Sequence, residues 1–189
     1  MPKLPLEGIR ILDMTLVWAG PYTTTLLSDL GAEVIRIESR QFFPPLTRGV
    51  MAHPTPAFVE AIPMFVAGLP DREVGERPWN RWPLFNSHAR NKRSMTVDML
   101  KPEGKEVFDR LVAVSDVLVE NNPTETMEKL GISYESLTQI KSDFIMLRMP
   151  GFGNSGAYKN YRAVAPMNED VAGHNTLRGY TDMDPTGVT

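Results

Sequence analysis

Arg90, Lys92 and Arg93 put three cations within four residues, beside Asn91. Left unpaired they repel one another, so an anion or neighbouring carboxylates must hold them together. A polyphosphate is one such anion, because guanidinium and ammonium groups make charge-assisted hydrogen bonds to phosphate oxygens. The competing reading is a solvated surface turn. Arg36 and Arg40 flank Glu38 and Ser39 at the end of an apolar run and form a second candidate anion site. Gly151-Phe152-Gly153-Asn154-Ser155-Gly156 follows another apolar run and offers backbone amides to an oxyanion, although the same residues also serve as a plain connection. His53, His88 and His174 lack metal-ligand spacing and read as packing or surface groups. Glu169 and Asp170 are adjacent carboxylates on an expected helix, where neighbours point to different faces, so a polar helix face fits better than acid–base work. No nucleophile-elbow pattern supports Ser-His-Asp chemistry. The absence of cysteine excludes disulfides, thiolate catalysis and cysteine-based metal sites.

The elements that position these groups alternate between strand and helix. Residues 9–14 read as a buried strand, Ala19-Gly20-Pro21 as a turn into a helix, and residues 34–37 as the next strand, which makes a right-handed crossover over 8–38. Tyr22, Leu26, Leu27 and Leu30 recur at helical spacing and predict the apolar face of that helix, with Gly31 as its left-handed stop. One glycine stands where a dinucleotide fingerprint needs three, so this crossover is not read as an NAD or FAD site. Residues 40–85 hold eight of the sixteen prolines together with Phe42, Phe43, Trp79 and Trp82. They predict a long ordered excursion with a short helix over 56–64. Beyond it the pattern predicts a strand over 95–99, a helix over 102–114 and a strand over 117–120. A short helix capped by Asn122 with Glu125 in its first turn comes next, then a second opened by Ser133. A strand over 144–149, the glycine loop and a helix over 167–177 complete the pattern. This alternation is that of an α/β protein, a mostly parallel sheet covered on both faces.

The chain has 189 residues, 42% hydrophobic and 23% charged, with a formal net charge of -3, which is ordinary for a globular protein and unsuited to broad nucleic-acid or acidic-membrane binding. No apolar run is long enough for a transmembrane helix and the first residues lack a secretory signal pattern, so the cytoplasm is the expected location.

Several ordered segments together resemble the family III CoA-transferases, which include formyl-CoA transferase and the carnitine CoA-transferases. They are residues 5–13, Ala19-Gly20-Pro21, residues 30–38, Asn91-Lys92-Arg93-Ser94, Pro102-Glu103-Gly104, residues 116–121 and Gly151-Phe152-Gly153. The resemblance covers nearly the whole chain. It implies a Rossmann-like parallel sheet with flanking helices, in an interlocked homodimer or a heteromer. The implied reaction moves CoA between an acyl-CoA and a carboxylic acid through an aspartyl intermediate, with CoA as acyl-carrier substrate and no cofactor. Carried over by position, CoA contacts fall on Trp18, Ala19, Ser39, Arg40 and Arg93, on Val97, Asp98, Met99 and Leu100, on Asn121, Asn122 and Pro123, and on Lys129 and Arg162. Ser39 stands where family members often carry arginine, with Arg40 beside it; Leu100 stands where lysine can occur, with Lys101 beside it. The nucleophilic aspartate is expected about a dozen residues beyond Gly179-Tyr180-Thr181-Asp182, past residue 189, so no catalytic residue is assigned within the chain. Residues 1–189 then correspond to an inactive N-terminal part of the large domain. Two alternatives are a racemase or isomerase of the same superfamily and a non-catalytic CoA-binding subunit. Val164-Ala165 stands where racemase-like members carry a His-Asp pair, which counts against the first.

Overall fold

Ile11 and Leu12 are adjacent, so they point to opposite sides of a strand, yet neither is more than 1% exposed. A strand buried on both faces needs packed layers above and below it. In the computed structural model, which describes residues 3–39, 41, 51–62 and 68–182, that strand is β1 (Arg10–Met14), at the centre of a five-stranded parallel sheet. β2 (Glu33–Glu38) and β4 (Val117–Glu120) flank it; β3 (Lys92–Thr96) and β5 (Ile145–Arg148) are the edges, in the order β3-β2-β1-β4-β5. Leu12 lies level with Ile35 on one side and Leu118 on the other, which stacks three apolar side chains on one face.

Among the described residues the helices are α1 (Ala19–Asp29), α2 (Pro56–Ala61), α3 (Pro83–Ala89), α4 (Pro102–Ala113), α5 (Thr124–Lys129), α6 (Tyr134–Ile140) and α7 (Ala165–Val171). One face of the sheet packs Leu12 and Leu118 against Phe108 and Val112 of α4, Met127 of α5, Leu137 of α6 and Phe144. The other packs Ile11, Val34 and Val119 against Leu27 of α1. The described part of the proline-rich excursion has its own small core of Val59, Leu69 and Trp82. Its short helix α2 begins where proline at the first turn and Thr55 as cap dictate, the Thr55 hydroxyl accepting from the Phe58 amide at 3.2 Å.

Four expectations are corrected. Of the apolar face expected on α1 only Leu27 packs on the sheet; Tyr22, Leu26 and Leu30 turn outward, 51%, 44% and 47% exposed. The buried side of the helix consists instead of Gly20, Pro21, Thr24, Thr25 and Ser28, with Thr24 donating to Asp13 of β1 and Thr25 to the His88 carbonyl of α3. Small hydroxyl residues fit there because their donors return to helix carbonyls, Thr25 to Pro21 at 2.8 Å and Ser28 to Thr25 at 2.7 Å. The strand expected over 95–99 runs over 92–96 instead, where it pairs with β2, and the buried Lys92 side chain that opens it meets Asp13 at 3.0 Å. Asn122 does not cap α5; its side-chain Nδ2 donates to the Met14 carbonyl at 2.9 Å. The helix expected over 167–177 is two pieces, α7 and a 3-10 turn (His174–Leu177), divided at Gly173, whose φ of 72° reverses the chain. Ser133 does open α6, in a reciprocal cap with Ser136.

Candidate functional site

The connections leaving β1 and β4 run to opposite sides, β1 through α1 to β2 and β4 through α5 and α6 to β5. That reversal opens a crevice beyond the carboxyl ends of the two central strands, where open α/β sheets bind ligands. A cleft of about 640 Å³ opens here. Met14, Thr15 and Leu16 form its wall after β1, Glu38 and Ser39 after β2, and Thr96, Val97, Asp98, Met99 and Leu100 after β3. Asn122, Pro123, Thr126, Leu130 and Arg162 close the remaining side.

Each lining group has a local cause for its place. Asp98 is fixed twice, accepting from the Leu100 amide at 3.1 Å and from Gln41 Nε2 at 2.8 Å. Gly104 lets α4 start directly against this loop: a Cβ there would stand 1.9 Å from the Asp98 carbonyl oxygen. Ser39 donates to Gln41 Oε1 at 2.7 Å. Glu120 ends β4 fully buried, its carboxylate accepting from the Asn122 amide at 2.7 Å and from Arg148 Nε at 2.8 Å. Arg36 lines the cleft at 3% exposure, with Nε 3.0 Å from Glu38 and a buried Nη1 that has no hydrogen-bond partner among the described residues. At the rim Arg162 and Lys129 share Glu125, each at 3.2 Å. The two cations hold the Glu125 carboxyl below its ordinary range, Lys129 contributing most.

The fourteen carried-over residues therefore divide. Ser39, Val97, Asp98, Met99, Leu100, Asn122, Pro123 and Arg162 come together in the cleft. Trp18 and Ala19 begin α1 just past the Leu16 wall; the Trp18 ring meets His88 edge to face at 5.7 Å. Asn121 lies behind that wall, bonded to the backbone of Leu16 and Val17. Lys129 stands on the rim with Glu125, and Arg40 is outside the described residues. Arg93 does not reach the cleft: it sits near the amino end of β3 and pairs with Glu33 at 2.7 Å. Its neighbours in the basic cluster also meet carboxylates, Arg90 with Asp29 at 2.5 Å and Lys92 with Asp13 at 3.0 Å. Arg90 lowers the Asp29 pKa, chiefly by that hydrogen bond. Burial lowers the Lys92 pKa against the opposing pull of Asp13. Sequence reasoning missed Met14, Thr15, Leu16, Thr96, Thr126 and Leu130 as lining residues. The signal for the first four was their place at or just past a strand's carboxyl end. Among the described residues no group of three or more His, Cys, Asp or Glu side chains could hold a metal ion, and no helix is long and apolar enough to cross a membrane.

A five-stranded parallel sheet with a cleft at its switch point defines a Rossmann-like α/β fold. The chain belongs to CoA-transferase family III, whose profile matches residues 6–189. It is 33% identical over 187 residues to succinyl-CoA–D-citramalate CoA-transferase of Chloroflexus aurantiacus, covering 99% of this chain and 40% of that protein. It is 36% identical over 182 residues to the succinyl-CoA–L-malate CoA-transferase beta subunit of the same organism, covering 96% of this chain and 39% of that protein. Among solved structures, a CAIB/BAIF family protein from Brucella suis superimposes with a TM-score of 0.76 at 32% identity, over 99% of this chain and 44% of that one. The chain thus spans about 40% of the length of the curated relatives it matches.

Proposed function

We propose that this chain forms the CoA-holding part of a protein that moves CoA reversibly from an acyl-CoA to a free carboxylic acid. One observation carries the reading: a family III chain places its cleft at the sheet's switch point, with Arg36 in the floor and Arg162 on the rim. Guanidinium groups in such a place suit the phosphates of the carrier, and the flanking apolar groups Val97, Met99 and Leu100 suit its less polar parts.

In the proposed reaction an aspartate carboxylate of the full-length protein, beyond residue 189, attacks the thioester carbonyl. This expels the CoA thiolate and forms a mixed anhydride. The thiolate then attacks the aspartyl carbonyl, which frees the donor acid and leaves an aspartyl-CoA thioester. The acceptor carboxylate repeats the two steps in reverse, so the exchange balances with CoA as the carried group and needs no metal or redox cofactor. The 189 residues alone are expected to hold CoA without transferring it. Assembly as an interlocked homodimer or a heteromer, in the cytoplasm, is part of the same reading. The names of the relatives make succinyl-CoA and a short dicarboxylic acid the first pair to assay.

Mass spectrometry of the full-length protein incubated with acyl-CoA tests it. The expected result is turnover with a covalent adduct on one aspartate outside residues 1–189. Turnover with no adduct and with exchange of the hydrogen next to the thioester would replace transfer by racemisation.

A further inference from the structure

Asn121 commits its side-chain amide to two neighbouring backbone groups. Its Oδ1 accepts from the Leu16 amide at 2.8 Å, and its Nδ2 donates to the Val17 carbonyl at 2.9 Å. A carboxamide offers one acceptor and one donor side, and these two partners fix which is which. The bonds cross the switch point, from the connection after β4 to the connection after β1. Asn121 does not line the cleft, whereas Leu16 does. The held segment is strained: Trp18 has φ 48° and ψ -95°, a conformation that a bulky residue keeps only where its surroundings impose it. Two residues on, Gly20 lies so close that a Cβ would stand 2.9 Å from Asn121 Cγ and 2.5 Å from Thr15 Cβ. On the opposite flank the Trp18 ring meets the buried His88. The turn over 16–18 is thus clamped between β4's connection and α3.

We infer that Asn121 is a positioning residue for CoA binding, acting through the turn over residues 16–18, whose Leu16 lines the cleft, rather than by touching the ligand. The inference rests on the CoA reading above. In Asn121→Asp the carboxylate still accepts from the Leu16 amide but turns an oxygen towards the Val17 carbonyl, so one of the two bonds becomes a repulsion. Asn121→Ala removes both.

Two measurements on the full-length protein decide the matter. Hydrogen exchange without ligand should quicken about tenfold at the Leu16 amide in Asn121→Ala, where that bond is lost, while the amides of β1 keep their protection. Calorimetry with CoA should show binding about tenfold weaker in both variants. The deficit of Asn121→Asp relative to wild type should shrink as pH falls toward about 5, because protonation of the introduced carboxyl restores a donor. An asparagine that served only overall stability would show such a recovery in the urea midpoint while CoA affinity stayed at the wild-type value throughout. If wild type binds CoA and both variants bind it equally well, the inference falls and the functional reading stands. If wild type binds no CoA, the functional reading falls and takes the ligand role of Asn121 with it. Unchanged exchange at Leu16 in Asn121→Ala overturns the positioning role on its own.

Discussion

Lys92 shows how one side chain changes meaning between sequence and structure. Beside Arg90 and Arg93 it reads as a phosphate ligand, but its side chain is 2% exposed and its ammonium donates to Asp13 Oδ2, the Pro21 carbonyl and Thr24 Oγ1. It ties β3 to β1 and α1 across β2. Removing one partner of such a pair strands the other in a dry interior, which costs about 3–5 kcal/mol, whereas neutralising both costs far less. Lys92→Met should therefore destabilise the protein by about 3 kcal/mol in urea unfolding. Asp13→Asn with Lys92→Met should recover most of that loss, since Thr15 and Thr24 still satisfy the remaining amide. A double variant as unstable as the single one would deny the pair its coupling. The same scale separates the cations of the cleft from those outside it. Arg162→Ala should weaken CoA binding about tenfold, the loss of one charge-assisted hydrogen bond. Arg93→Ala, removed from the cleft and paired with Glu33, should leave the affinity unchanged. Calorimetry with both variants compares them directly, and the opposite ranking would move the phosphate site to the amino end of β3.

Among the elements, the contact between α1 and α3 holds a histidine whose pKa burial lowers. His88 of α3 lies 6% exposed, with the Trp18 and Tyr22 rings edge-on to it. Burial lowers its pKa from 6.5, the charge on Lys92 adds to that, and Arg36 and Arg90 contribute less, while the Leu84 backbone acts in the opposite sense. The sign follows from linkage. Below pH 6.5 the unfolded chain takes up a proton that the folded chain refuses, so stability is full above 6.5 and falls as pH drops towards the lowered folded value. The paired carboxylates Asp29, Glu33, Asp116 and Glu125 also have lowered values, from 3.8 or 4.5, and act only in more acid solution. Urea midpoints should thus decline between about pH 7 and pH 5 in wild type and stay level in His88→Phe. An equal decline in both would assign the effect elsewhere. The elements themselves were unequally legible. β1, β2, β4 and β5 follow from runs such as Ile11-Leu12 and Val117-Leu118-Val119, because a parallel sheet favours apolar side chains, whereas the polar edge strand β3, Lys92–Thr96, was expected three residues too late. The orientation of α1 did not follow, because its buried residues Thr24, Thr25 and Ser28 are polar by type and become compatible with burial only through partners such as Asp13, the His88 carbonyl and the helix's own Thr25 carbonyl. The site was half legible. Residues just past strands, from Ser39 to Leu100, gather because the fold brings strand ends together, whereas Arg93 and Asn121 have partners that no local pattern reveals.

At the scale of the molecule, the apolar surface left uncovered is ordered rather than scattered. Tyr22, Leu26 and Leu30 form a stripe along α1, continued by Leu4 and Trp18, all between 44% and 51% exposed. On the far edge of the sheet, Ile145 and Leu147 of β5 are 59% and 39% exposed, and β5 pairs only with β4 among the described residues. α7 buries none of its residues, with Met167 at 53% and Val171 at 69%. Helices normally turn such stripes inward, and contiguous apolar surface of this kind seeks a partner, as does an open strand edge. The 189-residue chain alone should therefore associate in solution, and light scattering should give a mass that grows with concentration. Leu26→Glu with Tyr22→Ser should reduce that association while leaving the circular dichroism unchanged, because neither side chain belongs to the apolar clusters packed on the sheet. Association undiminished in the double variant would move the contact to β5 or α7. A wild-type chain that stays monomeric at every concentration would mean that these faces need no partner at all.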